Sequence, residues 1–267
     1  MEDKKLQKSL RMSIIGPTLV PLSLPDLDNL LTEVIGSAAE ECLKLNNGEI
    51  CTTLSGGLDS SFCLAKIREI VGQKVKINTF TIGPEETYPD IQYARRVAKL
   101  FHTVHTELIP SYSEMGKARA ELAISSPGGI TYPGDLATFM IYQEMSKFGQ
   151  RCVIAHDGID ELLGGYWEHR RHKNAADKLQ AFTDLWSRLW PEHIQSLQRK
   201  AEKFGIKVIL PYLHPDLVSF LNRISLDERT SRTVSKIPLR TLAKKYLPLE
   251  IIERSKLGFC GALGEGN

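Results

Sequence analysis

Cysteine is scarce in this chain of 267 residues: Cys42, Cys51, Cys63, Cys152 and Cys260 make an odd five, and no two stand as CxxC. That count and spacing exclude a disulfide-stapled scaffold and a CxxC zinc or redox centre. Most of the five sit in apolar runs, as small buried hydrophobes do, so a reducing cytoplasm is the expected compartment. Net charge is nearly absent too. Against 34 Lys and Arg stand 32 Asp and Glu, leaving +2, which argues against nucleic acid or an anionic membrane as the bulk partner. No run approaches the roughly 18 apolar residues of a membrane span; the apolar stretch Ile14 to Leu24 is broken by Pro17 and Pro21 and ends at Pro25. The fingerprints GxxxxGK(S/T) and GxGxxG are missing, which removes the common mononucleotide and dinucleotide folds.

What remains is an ordinary globular mixture, 42% apolar and 25% charged, in a chain long enough to bury roughly 73% of its surface in one body. Residues 1–22 form a basic, proline-punctuated arm without a period. Ser23 followed by Asp26 starts a helix whose Leu27, Leu30, Leu31, Val34, Ile35, Ala38 and Cys42 recur at helical spacing. Apolar runs Ile50–Leu54, Val75–Ile82, Val104–Leu108 and Arg151–Ala155 then alternate with helical stretches Asp59–Val71, Pro89–Leu100 and Asp135–Phe148. Such alternation means right-handed crossovers and a parallel α/β sheet. Beyond Trp167 the texture reads as helices only, at Ala175–Trp190, Glu192–Phe204, Asp216–Asn222 and Pro238–Tyr246, with Pro191, Pro211, Pro215 and Pro248 between them. The expected organisation is the arm (1–22), an α/β nucleotide-binding region (23–166) and a helical region (167–267) that completes the same body.

The first strand runs into Leu54-Ser55-Gly56-Gly57-Leu58-Asp59-Ser60-Ser61, which opens a helix. Two glycines admit an oxyanion close to the backbone, three hydroxyls add donors, and the helix N-terminus adds partial positive charge. This is a phosphate cradle. Asp59 would repel bare phosphate, so its place there implies a Mg²⁺ between carboxylate and phosphates. A plain Gly-Gly turn with an N-capping Asp is the structural alternative. The strand ending at Ala155 runs into His156-Asp157-Gly158-Ile159-Asp160-Glu161-Leu162-Leu163-Gly164-Gly165-Tyr166, three carboxylates on what a parallel sheet makes the same edge. Asp160 is positioned to complete a Mg²⁺ site with Asp59, leaving Asp157 as a base.

The first loop resembles that of the PP-loop ATP pyrophosphatases, and the second string resembles the asparagine synthetase family. Further matches follow in order: Thr79–Gly83 with Asp90 and Ala94, His105–Glu107, Leu210–Leu213, Lys236–Arg240 and Arg254–Phe259. The resemblance implies a doubly wound parallel sheet of the adenine nucleotide alpha-hydrolase type, followed by a helical C-terminal part. It implies an ATP-dependent, AMP-forming carbon–nitrogen ligase that adenylates a carboxylate, aspartate or a related acid, releases pyrophosphate and transfers ammonia or an amine. Residue by residue, it places the phosphates of ATP on Ser55 to Ser61 and Lys236, adenine between Leu54 and Ile82, and Mg²⁺ on Asp59 and Asp160. Asp157 becomes the acid/base residue, and Lys256 neutralises the departing pyrophosphate.

Full-length members of that family resemble a fusion with an N-terminal glutaminase whose nucleophilic cysteine follows the initiator methionine. Here residue two is Glu2, so glutamine hydrolysis by this chain is not expected. Ammonia, an amine or a separate glutaminase subunit would supply nitrogen, lactam or macrolactam closure stays open as an alternative, and so does a homodimer. Ala155-His156 replaces the family's Ser/Thr-Gly, and Pro211-Tyr212-Leu213-His214 replaces Pro-Phe-Leu-Asp. Both changes predict imidazoles near the site and weaken aspartate as the acceptor. The pairs His102/His105 and His169/His172 have i, i+3 spacing but no third ligand, so zinc is not expected. A tRNA-modifying branch of the superfamily is disfavoured by the charge balance and missing CxxC pairs, and a non-catalytic nucleotide sensor by the retention of Asp59, Asp157, Asp160 and Lys256 together.

Overall fold

The computed structural model describes residues 6–7, 9–125, 134–255 and 263. Helix α1 (Leu24–Leu45) starts where expected, with Ser23 Oγ accepting from the Asp26 amide at 3.4 Å, and buries Leu27, Leu31, Val34, Ile35, Ala38, Ala39 and Cys42 along one stripe. The chain then alternates β1 (Ile50–Thr53), α2 (Leu58–Val71), β2 (Ile77–Ile82), α3 (Pro89–Leu100), β3 (Val104–Leu108), α4 (Tyr112–Ser125), α5 (Asp135–Lys147) and β4 (Cys152–Ile154). Next come α6 (Ile159–Leu163), α7 (Trp167–Arg170), α8 (Ala175–Arg188), a π-helical turn (Leu189–Ile194), α9 (Gln195–Lys203) and β5 (Lys207–Ile209). The short helices α10 (Pro215–Leu221), α11 (Leu226–Arg229), α12 (Ile237–Ala243) and α13 (Leu249–Ile252) follow.

The five strands pair in the order β3-β2-β1-β4-β5, all parallel. All six residues of β2 are buried, as in a sheet covered by helices on both faces. Strand order runs outward from β1 to β3 and then returns to β4 on the other side of β1. That reversal is the switch point of a doubly wound sheet, where the loops after two neighbouring strands diverge and leave a crevice for ligand. The loops in question follow β1 and β4, the two that carry the sequence motifs. The register Thr52↔Ile154 sets their starting points side by side.

Three elements depart from the sequence reading. The C-terminal texture is helical but also supplies β5, whose Val153↔Val208 pairing extends the sheet. The run Lys207–Ile209 is only three residues long and begins with an exposed lysine, too brief for a period to register. Pro191 was expected to separate two helices; instead the turn widens into the π form from Leu189 to Ile194, and the chain continues into α9. Helix α4 was missed because its YSEMGKARAELAIS has almost no apolar asymmetry and buries little beyond Ala118 and Leu122.

The N-terminal arm lies against the last helices. The Gly16 amide donates to the Asn222 carbonyl at 2.6 Å, the Val20 amide to the Arg223 carbonyl, and the Leu22 amide to the Glu228 carboxylate. Arg229, fully buried, donates to the carbonyls of Ile14, Leu162 and Ile224, so one guanidinium joins the arm, α6 and the C-terminal helices. Among the described residues no helix is long and apolar enough to cross a membrane.

Candidate active site

The loop after β1 closes on itself before it becomes helix. Ser55 Oγ and Ser60 Oγ are 3.1 Å apart, the Ser55 amide donates to Ser60 Oγ, and the Gly57 amide to Ser55 Oγ. Gly57 is the N-cap of α2 and offers no side chain to the first-turn amides, and a helix N-terminus is the kind of place that receives an anion. Gly56 has φ +67° and is pressed against the backbone of Tyr93 and Ala94, where any β-carbon would collide. Arg254 fixes the loop from outside: it donates to the Ser55 carbonyl at 2.9 Å, ion-pairs with Asp90 at the start of α3 and stacks on Tyr93.

Three charges from three distant segments meet beside this loop. Lys236 Nζ lies 2.7 and 2.6 Å from the two oxygens of Asp59 and 2.6 Å from Asp160 Oδ1. Their side chains keep only 5%, 11% and 8% of their exposure. The backbone geometry is specific. Lys236 adopts a left-handed conformation, φ 52°, uncommon for a residue with a side chain, and its amide donates to the Leu163 carbonyl at the end of α6. Gly165 leaves the gap through which Asp160 and Lys236 meet: a β-carbon there would overlap Asp160 Oδ1 and stand 2.6 Å from Lys236 Cε. On the far side, the buried Tyr212 hydroxyl donates to the Asp59 carbonyl at 3.0 Å. The carboxylates thus converge on one cation already. Hard oxygen donors in this number suit Mg²⁺ shared with phosphates, and among the described residues no three His, Cys, Asp or Glu form a fuller metal cage.

The cavity over the crevice has a volume of about 190 Å³ and is lined by Ser55, Gly57, Asp59 and Ser60 from the first loop and His156 to Gly158, Asp160 and Glu161 from the second. Leu54 and Phe80 line its apolar side. Gly56, Leu58, Ile82 and Lys236 lie outside that lining; Ile82 is buried at the end of β2, two residues beyond the lining residue Phe80. Ser61 Oγ is buried without a partner among the described residues and also lies outside the lining. Lys256 falls outside the described residues.

Of the two imidazoles expected at the site, His156 is in the cavity, 3.1 Å from Thr52 Oγ1 and 3.4 Å from Thr53 Oγ1. His214 is not. It caps α10, its Nδ1 accepting from the Asp216 amide, and faces the groove beside β5. The turn that aims Tyr212 inward at Asp59 carries the next residues away from the crevice. Sequence reasoning passed over a third imidazole, His193, whose Nε2 is 2.5 Å from Asp157 Oδ1. Burial works against a charged ring there, but the Asp157 carboxylate and, more weakly, Glu161 override it and hold the pKa above the ordinary histidine value. Glu161 accepts from the Tyr166 hydroxyl at 3.1 Å. No motif signalled His193; its one local mark is the Pro191 two residues earlier.

A parallel sheet with a glycine-rich loop and a carboxylate pair at its switch point defines a nucleotide-binding α/β protein. The family profile for Asparagine synthase matches residues 30–205 and 183–266, and the chain belongs to that family. Similar curated proteins include asparagine synthetase 2 (glutamine-hydrolyzing) of Oryza sativa subsp. japonica, 27% identical over 231 residues covering 79% of this chain and 38% of the relative. Asparagine synthetase B (glutamine-hydrolyzing) of Escherichia coli K12 is 23% identical over 226 residues, 79% of this chain and 41% of the relative. The chain spans about two fifths of the length of these relatives. Among solved structures, the NAD+ synthetase of Burkholderia pseudomallei overlaps 90% of this chain and 92% of its own at 14% identity and a TM-score of 0.39.

Proposed function

We propose that the chain is an ATP-dependent, AMP-forming amide synthetase that activates a small carboxylic acid and passes the acyl group to ammonia or an amine. The observation that carries this reading is the convergence of Asp59, Asp160 and Lys236 beside a glycine-rich helix N-terminus, in a member of the asparagine synthase family.

Phosphates of ATP would sit on the amides of Gly57 and the first turn of α2 and on the hydroxyls of Ser55 and Ser60, with Lys236 and Lys256 as cations toward the departing pyrophosphate. Leu54 and Phe80 would flank the base. Asp59 and Asp160 would hold Mg²⁺, whose chemistry is to neutralise charge on the phosphates as the α-phosphorus is attacked. The acid's oxygen attacks that phosphorus, pyrophosphate leaves, and the mixed anhydride gives the nitrogen nucleophile a far better leaving group than hydroxide. Positioned amides and cations stabilise the charge that spreads over the phosphoryl oxygens. Asp157 takes the proton that nitrogen loses as the amide forms. Residues 23–166 and 167–267 act as one catalytic body, since Lys236 of the second serves the loop of the first. A separate glutaminase as nitrogen source, a homodimer and a cytoplasmic setting belong to the same proposal.

The test is product analysis with MgATP, ammonium and a panel of amino and other carboxylic acids that includes aspartate and acids bearing an amine within ring-closing reach. Acid-stimulated AMP and pyrophosphate are expected, with Asp59→Asn abolishing them. Formation of ADP and phosphate alone across the panel would sink the adenylation reading. Whether the product is an intermolecular amide or a lactam follows from its mass.

A further inference from the structure

The segment after β4 and the π-helical turn between α8 and α9 bring a carboxylate and an imidazole into the cavity wall. His193 and Asp157 are 36 residues apart in sequence and 2.5 Å apart in space. Both line the cavity that contains the Ser55 to Ser60 loop, and their side chains retain 23% and 25% exposure. They are thus accessible from the cavity while sheltered from bulk water. The backbone that presents His193 is itself unusual. Six residues, Leu189–Ile194, wind as a π-helix, a rare form found frequently at functional sites. The charged groups around the imidazole are Asp157 and Glu161 from the β4 side and Lys200 of α9; that lysine is engaged 2.5 Å from Asp135 at the start of α5.

We propose that His193 is a positioning residue for the amide-forming step, acting through Asp157. The proposal rests on the adenylation reading above. In that step the nitrogen lone pair attacks the carbonyl carbon of the acyl adenylate and a C–N bond forms. One proton leaves nitrogen for the Asp157 carboxylate, while His193 Nε2–H donates to that carboxylate and holds it facing the nitrogen. The C–O bond to AMP then breaks, its electron pair staying on the phosphate oxygen. A general base contributes about 10²–10⁴-fold only from within hydrogen-bond reach of the proton it takes, and the His193 contact fixes where the Asp157 carboxylate stands.

His193→Gln, which can still donate to Asp157, and His193→Phe, which cannot, are compared with the unaltered protein using the same acid panel. Exchange of labelled pyrophosphate into ATP reads the adenylation half; amide formation with ammonium reads the second half. The expected result is that both variants keep exchange within about 3-fold, that His193→Phe loses amide formation by about 100-fold, and that His193→Gln, which restores the donor, recovers most of it. Undiminished amide formation in His193→Phe, no recovery in His193→Gln, or equal loss of both halves overturns the proposal. Absence of exchange with every acid in the unaltered protein is a separate result, which overturns the adenylation reading and this step with it.

Discussion

Replacing Lys236 by methionine keeps most of the side-chain volume and removes the cation between Asp59 and Asp160. Both carboxylates are about nine-tenths buried, so the variant must either hold two unbalanced charges or take up a proton. At pH 7, protonating a carboxyl with an ordinary pKa of about 3.9 costs about 4 kcal/mol, which caps the loss. That cap falls within the ~3–5 kcal/mol expected for breaking a buried ion pair from one side. At pH 5 the same proton costs only about 1.5 kcal/mol. The sign follows from linkage: in the folded variant one carboxyl has its pKa raised above the unfolded value, so lowering the pH favours the folded variant and the deficit shrinks by about 2.7 kcal/mol. Urea unfolding followed by circular dichroism at both pH values, at about 0.15 M salt, measures it. Mg²⁺ at about ten times its dissociation constant should return about 1.4 kcal/mol to the variant and less to the unaltered protein. A loss under about 1 kcal/mol at pH 7, or the same loss at both pH values, would refute the view that these charges depend on one another.

Two further outcomes are expected. Gly165→Ala places a methyl group against Asp160 Oδ1 and Lys236 and should cost about 1–3 kcal/mol by overpacking together with Mg²⁺-dependent turnover; an unchanged melting temperature would contradict the packing described. Burial holds His169, stacked on Tyr166 and packed at a tilt against Phe182, at a pKa of about 4. Above pH 6.5 the ring is neutral in both states and contributes no pH dependence. As pH falls toward 4 the unfolded chain takes up a proton that the folded one refuses, and stability drops by about 3 kcal/mol. His169→Phe should flatten that part of the pH–stability curve; an unaltered slope would show that the drop arises elsewhere.

The strands and helices that frame the site were legible because each carries its own period or apolar run, and because Gly-Gly and acidic clusters stand where such elements end. The crevice followed from topology: loops after β1 and β4 must share an edge if the sheet is parallel. Contacts made across long separations were not legible. Lys236 could be assigned to the phosphates by resemblance, but its grip on both carboxylates depends on a left-handed backbone that no local signal announces. His193 and Asp157 meet only because a π turn rotates one helix onto the cavity. His214 shows the reverse case, since adjacency to Tyr212 in sequence did not translate into adjacency to the crevice, the chain having turned between them.

The order in which the charges emerge during synthesis has a consequence of its own. Asp59 leaves the ribosome first, Asp160 about a hundred residues later, and Lys236, 177 positions after Asp59, arrives once the sheet-completing strand β5 has already appeared. Until then the two acids lack the cation that joins them in the folded chain. Long-range closure of this kind is slow to form. A chain stopped before Lys236 would carry the Ser55 to Ser61 loop yet lack the cation that joins Asp59 to Asp160.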